Sequence, residues 1–344
     1  KLKEIKITDD SNLNCIQEDA FGFSSVETIE IPKNFNGFCT GLSRNTPKLT
    51  NINLSKNNKK YKELNGLILL NSTGSNDERD DKYDTILFAK RNVTTVIESN
   101  YIKRISSYAF DSCLSLNEIL FDKDSQLESI DSYAFSNSSL KTIKIPQKVF
   151  GLGTKPFFKC TKLETVEFSE NTVLDSIYPS LFSESSIKHI SIPSKITKIC
   201  KSAFYKCNNL KTIDFSEDSK INTIEEWAFA FSSIETLTIP SKVCTIENSL
   251  FNNCNFLKSV NFLPNTQLVI IDDRSFNFSS IQSIIIPKQV IQIGERAFIS
   301  CKNLENVEFQ KDSELKTILE GAFESSGLQQ FSLPDKVNRI ENQM

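Results

Sequence analysis

The sequence predicts a solenoid, in which short repeats stack and each repeat contributes one strand to a parallel β-sheet. Three periodic features predict this fold class. Phenylalanines recur at alternating intervals of 25 and 22 residues, while prolines and cysteines each recur every 47 residues, so the full period is a pair of repeats. The phenylalanines are Phe110, Phe135, Phe157, Phe182, Phe204, Phe229, Phe251, Phe276, Phe298 and Phe323. The prolines are Pro146, Pro193, Pro240, Pro287 and Pro334, and the cysteines are Cys113, Cys160, Cys207, Cys254 and Cys301.

Each repeat contains a short strand whose apolar residues follow the spacing L-x-x-I-x-F or I-x-x-L-x-I, which is typical of leucine-rich repeats. In the segment LKTIDF, Ile213 and Phe215 point to one face and Thr212 and Asp214 to the other, because side chains alternate along a strand. We therefore expect one buried column of strand residues along the sheet. Its predicted members are Ile143, Val166, Ile190, Ile213, Leu237 and Val260.

After each strand, a second apolar pair and a phenylalanine return the chain along the opposite side, for instance at Ile221, Ile224, Ala228 and Phe229. Stacked repeats of this kind bury one continuous core, which a single repeat cannot do. The recurrent proline ends the strand in every second repeat, since it has no N–H to donate. The predicted fold is a single curved stack. One continuous parallel β-sheet forms its concave face, and short helical or irregular returns form its convex side.

Residues 55–100 break the periodicity. Two apolar runs, Leu67 to Leu70 and Ile86 to Ala89, flank a stretch rich in Asp, Asn, Ser and Gly. This pattern predicts a divergent, hairpin-like repeat with a mobile tip near Gly74 to Asp81, and a linker between two solenoids is the alternative. The predicted organisation is therefore repeats over residues 1–54, an insertion over 55–100 and repeats over 101–344. Both ends carry parts of a repeat, so we expect a piece of a longer protein.

The composition excludes several classes of function. Forty basic and 43 acidic residues leave a net charge of −3, which does not favour binding to nucleic acid or to an anionic membrane. The longest apolar runs fall far short of the roughly 18 to 20 residues that a membrane helix needs. We therefore expect neither a nucleic-acid partner nor membrane insertion by this segment.

The recurrent cysteines alternate with serines at the same repeat position. Strands lie about 4.8 Å apart, so cysteines two repeats apart should be roughly 10 Å distant, beyond the ~7 Å Cα limit of a disulfide. The pattern therefore predicts a column of small buried residues with free thiols. The serines are Ser138, Ser185, Ser232, Ser279 and Ser326. Any bridge would have to come from the cysteines outside this column, Cys15, Cys39, Cys200 and Cys244.

No motif indicates catalysis, a cofactor or a metal site. His189 is the single histidine, and the sequence contains no CxxC spacing, phosphate-binding glycine loop or GxSxG turn. We interpret His189 as an exposed residue of the sheet. Acidic and basic residues share one repeat position, as at Glu235, Lys211 and Lys258, which predicts a solvated ladder of opposite charges. The sequence therefore predicts a protein that is not an enzyme and needs no cofactor.

The segments AFSNSSLKTIKIP and IPSKVCTIENSLFNNCNFLKSVNF resemble the BspA-like, or treponemal-type, group of leucine-rich repeats. The insertion, YKELNGLILL followed by DTILFAK, also resembles a recurrent segment of that group, although Ala89 and Lys90 stand where its proline is expected. The alternating cysteine and serine versions look most like the protozoan members. This resemblance implies a surface or secreted protein that adheres to host cells or matrix, and it supplies no catalytic residues.

The exposed sheet face is the predicted binding site, because its side chains are short and polar and solenoids commonly bind partners over such surfaces. The predicted ligand-binding residues are Thr165, Glu167, His189, Ser191, Thr212, Asp214, Thr236 and Thr238. The expected partner is a protein or glycoprotein of the host surface or extracellular matrix. Leu120 and Ile285 are apolar exceptions on this face.

Two further expectations concern location. Asn71 and Asn92 are the sequons of the irregular segment and are predicted as glycosylation sites on a surface or secreted protein. The alternative is a cytoplasmic protein-interaction scaffold built on the same repeat. Free thiols favour the scaffold, because extracellular proteins usually oxidise theirs.

Overall fold

The fold was obtained as a computed structural model, which describes residues 2–39, 41–73 and 82–343. It divides into two units, Lys1–Val173 and Leu174–Met344. In each unit the chain winds as a parallel β-solenoid, which confirms the predicted repeat fold. The described residues contain no α-helix and therefore no helical segment that could cross a membrane.

The first unit contains strands β1 to β15, which are two to five residues long. They are β1 Glu4–Ile5, β2 Cys15–Ile16, β3 Thr28–Ile31, β4 Gly37–Phe38, β5 Asn51–Leu54, β6 Tyr61–Leu64, β7 Leu67–Leu70, β8 Thr85–Ala89, β9 Thr95–Ile97, β10 Arg104–Ile105, β11 Glu118–Leu120, β12 Ser129–Ile130, β13 Thr142–Ile145, β14 Gly151–Leu152 and β15 Thr165–Phe168.

The second unit contains strands β16 to β29, which alternate between two and four residues until the last, two-residue strand. They are β16 Ser176–Ile177, β17 His189–Ile192, β18 Lys198–Ile199, β19 Thr212–Phe215, β20 Thr223–Ile224, β21 Thr236–Ile239, β22 Thr245–Ile246, β23 Ser259–Phe262, β24 Ile270–Ile271, β25 Ser283–Ile286, β26 Gln292–Ile293, β27 Asn306–Phe309, β28 Thr317–Ile318 and β29 Arg339–Ile340.

Strand β1 and the longer strands other than β6, β7 and β8 pair in parallel to form what we call the first ladder. In the first unit it has two segments, β1-β3-β5 and β9-β11-β13-β15, and in the second unit it has β17-β19 and β21-β23-β25-β27. The register aligns equivalent repeat positions, such as Ile143 with Val166 and Ile190 with Ile213. All six predicted column residues are buried, each at most 7% exposed, which confirms the predicted strand phase.

The two-residue strands that follow β1 form a second parallel ladder on the opposite side of each repeat. It comprises β2-β4 and β10-β12-β14 in the first unit, and β16-β18-β20 and β22-β24-β26-β28-β29 in the second. The returning segments are therefore short strands and irregular turns. Each second-ladder strand of the regular repeats leads into the turn that carries the recurrent phenylalanine.

The phenylalanine turns have an unusual backbone. The residues two before and two after the ring have positive φ, such as Tyr108 (60°) and Ser112 (58°) around Phe110. Non-glycine residues rarely adopt this conformation. Here it directs backbone N–H groups to the next repeat, since Phe110 donates to the Ala134 carbonyl at 2.7 Å and Ser112 to the Ser136 carbonyl at 2.9 Å. Stacking therefore stabilises a turn that an isolated repeat would avoid.

The phenylalanine rings form a stacked column in the core. Ring centroids lie 4.9 and 5.4 Å apart in the first unit, from Phe110 to Phe157, and 4.9 to 5.7 Å apart in the second, from Phe182 to Phe323. Such pairs add about 0.5–1.5 kcal/mol each to the free energy of burial. The alternating intervals of 25 and 22 residues in the sequence thus place the phenylalanine rings of successive repeats in one stack.

The insertion is a β-hairpin that extends the second ladder. β6 pairs antiparallel with β7 across Asn65 and Gly66, whose φ angles of 50° and 81° suit a two-residue hairpin turn. β7 pairs antiparallel with β8, and β8 pairs in parallel with β10. The predicted mobile tip, Gly74 to Asp81, lies outside the described residues. The boundaries at residues 54 and 100 remain predictions.

The repeat next to the insertion lacks its phenylalanine. Ser43 stands between two positive-φ residues, Gly41 and Asn45, in the place that Phe110 occupies between Tyr108 and Ser112. The insertion supplies Phe88 and Arg91 in place of the missing phenylalanine. Both side chains are buried, and the Arg91 guanidinium lies 4.5 Å from the Phe88 ring centroid. An Arg91 amino group also donates to the Ser43 carbonyl at 2.9 Å.

Candidate functional site

The eight predicted ligand-binding residues all lie on the outward face of the first ladder, and all are exposed. In the first unit, Thr165 and Glu167 of β15 align with Thr142 and Lys144 of β13. In the second unit, the other six occupy outward positions of β17, β19 and β21. The buried residues between them hold the strands in place, so the outward side chains project from a rigid backbone.

Four of these residues form a polar cluster on β17 and β19. His189 Nδ1 lies 2.9 Å from Thr212 Oγ1, while His189 Nε2 lies 3.4 Å from both Ser191 Oγ and Asp214 Oδ2. In a serine-histidine-aspartate triad the serine and the aspartate contact opposite ring nitrogens. Here both contact Nε2, so the cluster lacks triad geometry. It orders the histidine ring on the surface, as expected for an exposed residue of the sheet.

The predicted charge ladder occurs beside this cluster. Glu235 lies between two lysines, with its carboxylate 3.2 Å from Lys211 Nζ and 3.2 Å from Lys258 Nζ. Hydrogen bonds from Lys258 and Lys211 hold the pKa of Glu235 below its usual range. These groups are in solvent, so the ladder contributes little to stability. Positive and negative side chains therefore alternate at this edge of the face and neutralise one another locally.

The face also carries exposed apolar residues, one of which the sequence reasoning missed. Leu120 and Ile285 are 47% and 54% exposed, as expected. Ile97, on β9, is 76% exposed and lies directly across from Leu120. The signal was present, because Ile97 occupies the same position in TTVI as Leu120 does in NEIL. The irregular segment around it obscured the alignment.

The two predicted glycosylation sites have different surroundings. Asn71 is only 5% exposed, and its side-chain oxygen accepts a hydrogen bond from the Thr73 hydroxyl at 3.1 Å. Asn92 is exposed. Glycosylation stays a prediction at both positions, and at Asn71 it would require local opening of the insertion.

The column cysteines are buried and make a repeated contact. The Cys113 thiol lies near the Ala89 carbonyl and Arg91, whereas each of the other four thiols donates to the carbonyl of the phenylalanine 25 residues earlier, as from Cys207 to Phe182 at 3.0 Å. A serine hydroxyl lies beside the same sulfur, as Ser185 does at 3.6 Å from Cys207. Burial raises the pKa of the Cys160, Cys207 and Cys254 thiols to about 12. The column is therefore structural, because a nucleophilic cysteine needs a depressed pKa.

We expect a thiol reagent to discriminate sharply between the cysteines of the native protein. Cys244 is exposed and Cys15 and Cys39 are half-buried, so these three should be alkylated first, while Cys160, Cys207 and Cys254 should react only after unfolding. Peptide mass spectrometry after timed N-ethylmaleimide labelling measures this difference. A Cys244→Ser variant should lose the fastest label without changing the rest. Comparable labelling of the column cysteines in the folded protein would contradict this assignment.

Comparisons with known proteins agree with this geometry. The sequence model of the BspA type leucine rich repeat region matches in six copies, over residues 1–64, 84–188, 175–301 and 269–344. No curated protein matches the sequence significantly. Within the described residues, no group of three or more histidine, cysteine, aspartate or glutamate side chains is placed to hold a metal ion.

Three solved structures share the fold. A leucine-rich repeat protein from Bacteroides ovatus has a TM-score of 0.63 and 19% identity, covering 98% of this chain and 82% of that one. The pneumococcal vaccine antigen PcpA has a TM-score of 0.54 and 17% identity, covering 98% and 84%. A leucine rich cell surface protein from Faecalibacterium prausnitzii has a TM-score of 0.52 and 19% identity, covering 89% and 87%. At these identities the likeness shows the fold alone.

Proposed function

Because the chain belongs to the BspA-type leucine-rich-repeat family, we propose that it is a non-catalytic binding module of a cell-surface or secreted protein that adheres to host cells or matrix. The observation that carries this proposal is the outward face of the first ladder, where short polar side chains stand on a backbone fixed by a buried column. A rigid surface loses little conformational entropy when a partner docks, which favours affinity.

The proposed contact residues in the second unit centre on the cluster of His189, Ser191, Thr212 and Asp214, with Thr236 and Thr238 on β21. In the first unit, Thr165 and Glu167 are proposed to act in the same way. The four side chains of the His189 cluster offer hydroxyl, imidazole and carboxylate groups within a few ångströms of one another. Such groups suit hydrogen bonding to a protein or glycoprotein surface.

Location at the cell surface is supported by the names of two similar structures, which describe a cell surface protein and a vaccine antigen. A cytoplasmic interaction scaffold is the second candidate, and the free cysteines favour it, because exported proteins usually form disulfides. Antibody staining of intact and permeabilised cells separates the two. Staining of intact cells supports the adhesion module, whereas staining only after permeabilisation supports the scaffold.

The binding face is tested by placing charge on it. We expect Thr212→Arg combined with Thr236→Arg to weaken attachment to host cells or matrix at least tenfold while leaving thermal unfolding unchanged, because both side chains are exposed. The matched control is Asn208→Arg with Asn255→Arg, which adds the same charge at exposed turn positions outside the strands. Deleting Thr73 to Asp81 should matter less. Normal binding by the Thr212 and Thr236 variant, with loss in the deletion, would place the site in the insertion.

A further inference from the structure

Strand β9 begins the second segment of the first ladder in the first unit, and one of its edges has no neighbouring strand. The Thr94 carbonyl accepts from Asn117 N–H at 2.7 Å, and Glu98 N–H donates to the Leu120 carbonyl at 2.8 Å. Backbone groups in a strand alternate between its two sides, so the N–H and C=O groups of Thr95 and Ile97 face away from β11.

In the regular repeats this same side is occupied. Thr165 of β15, which stands at the repeat position of Thr95, donates its N–H to the Lys141 carbonyl next to β13 at 3.3 Å. Before β9 the ladder is interrupted, because β5 is the last strand of its own sheet and the chain then enters the hairpin. Within the part of the chain that the structure describes, the four edge groups of β9 therefore have no strand partner.

The surroundings of this edge are largely apolar, and the Ile97 side chain is exposed. Ile97 is 76% exposed, compared with 54% for Ile285, which has the same strand position inside a complete ladder. Leu120 extends the apolar surface to the next strand. A small cavity of about 40 Å³ lies along the edge, between residues 95–99 and the hairpin side chains of Leu64 and Leu67.

We propose that the free edge of β9 binds an extended peptide segment of a protein partner by strand addition. The Thr95 and Ile97 backbone groups form the hydrogen bonds of the added strand, as in other complexes where a peptide extends a sheet. Outward side chains of the peptide pack on Ile97 and Leu120, so apolar residues suit these positions. Inward side chains meet the small cavity, whose lining is largely apolar, so small uncharged side chains suit these positions.

This inference rests on the proposed function only in requiring that the chain binds proteins, and it uses a different surface from the His189 cluster. The probe is a fluorescein-labelled peptide, acetyl-KVAVAVK, which alternates outward valine with inward alanine. Its binding to the whole chain is measured by fluorescence anisotropy. A second peptide, acetyl-KVDVDVK, places aspartate at the inward positions and should bind at least tenfold more weakly, because a carboxylate would be buried against apolar side chains.

The decisive variant is Ile97→Pro. Proline removes an edge N–H that no internal hydrogen bond uses, so peptide binding should fall at least tenfold while the unfolding temperature stays close to that of the unmodified chain. Glu308→Pro is the matched control, because Glu308 has the same strand position as Ile97 and β27 pairs with β25 over four residues. It removes an N–H inside the ladder and should lower the unfolding temperature, which confirms that the two edges differ.

Either of two results would overturn the inference: no binding of the alanine peptide up to about 1 mM, a free energy near −4 kcal/mol, or equal binding by the Ile97→Pro variant. Neither result touches the proposed adhesion, because the peptide assay involves no host ligand. Conversely, the Thr212→Arg and Thr236→Arg variant should bind the peptide normally. Loss of peptide binding in that variant would contradict a separate site on β9.

Discussion

Replacing Arg91 with methionine should destabilise the first unit by about 3 kcal/mol or more, because it removes a buried group that satisfies several carbonyls at once. The guanidinium is part of a side chain only 3% exposed. It donates to the carbonyls of Ser43, Ala89 and Ala109 at 2.9, 2.9 and 3.1 Å, and to Cys113 Sγ at 3.1 Å. These contacts join the repeats before the insertion to those after it.

Loss of Arg91 also affects a buried carboxyl nearby. Asp111 accepts hydrogen bonds from Asn45 N–H and the Ser112 hydroxyl, and the positive charge of Arg91 opposes the rise in its pKa that burial causes. Methionine fills much of the volume but removes the positive charge that helps to stabilise the Asp111 carboxylate. Arg91→Lys should recover part of the loss only, because a single ammonium cannot replace the planar fork of donors.

Hydrogen exchange measured by mass spectrometry locates the Arg91 effect. Protection should fall over residues 28–54 and stay unchanged over 174–343. Lys90→Met is the neighbouring control, because Lys90 makes a half-exposed ion pair with Glu63 and its loss should cost less than about 1 kcal/mol. If Arg91→Met kept full protection over residues 28–54, the insertion would not hold the repeats together through this side chain.

The second large effect concerns Glu98, which stands in an apolar column. Ile97 aligns with Leu120, so Glu98 lies at the position of Phe121 and, in the next repeats, of Ile145 and Phe168. It is 4% exposed, and its carboxylate accepts from Asp122 N–H at 3.4 Å and Ser125 Oγ at 3.2 Å. Burial, aided by the charge of Asp122, raises the pKa of Glu98 to about 7.

The sign of the pH dependence follows from this shift. In the unfolded chain the carboxyl has its ordinary pKa of 4.5, so between about pH 4.5 and 7 the folded protein binds the extra proton. The favourable contribution of Glu98 is fully present below about pH 4.5 and is lost as the pH rises through about 7. At higher pH the buried charge costs roughly 3 kcal/mol, at about 1.4 kcal/mol per pKa unit.

Glu98→Gln should therefore stabilise the protein by roughly 2–3 kcal/mol at pH 8 and by almost nothing near pH 4.5, because glutamine resembles the protonated acid. Chemical unfolding of both proteins across this pH range measures the difference. Glu164→Gln, on the exposed face of the same unit, is the control and should change stability by less than about 0.5 kcal/mol at any pH. Parallel pH profiles for the unmodified chain and Glu98→Gln would show that Glu98 is charged in the folded state.

The outward face of the first ladder was predictable because it depends only on strand alternation. Thr212 and Asp214 had to lie outward once Ile213 and Phe215 lay inward. What the side chains do there was not predictable. The contacts of His189 with Thr212, Ser191 and Asp214 join two strands 23 residues apart and depend on side-chain rotamers, which sequence spacing does not specify. The unpaired edge of β9 was not predictable from the sequence either, because it occurs where the regular repeat spacing is lost.

By itself, the sequence determined the repeat length, the strand phase, the buried Ile143 to Val260 column and the stacking positions of the phenylalanines, because each depends on a period that recurs in every repeat. Only the tertiary structure decided the rest. The positive φ of Tyr108 and Ser112 is favourable because carbonyls of the next repeat accept their N–H groups and that of Phe110, and neither residue type indicates it. The hydrogen bond from Arg91 to the Ser43 carbonyl joins residues 48 positions apart across an irregular segment. It depends on how side chains fill the core there, which no local sequence pattern indicates.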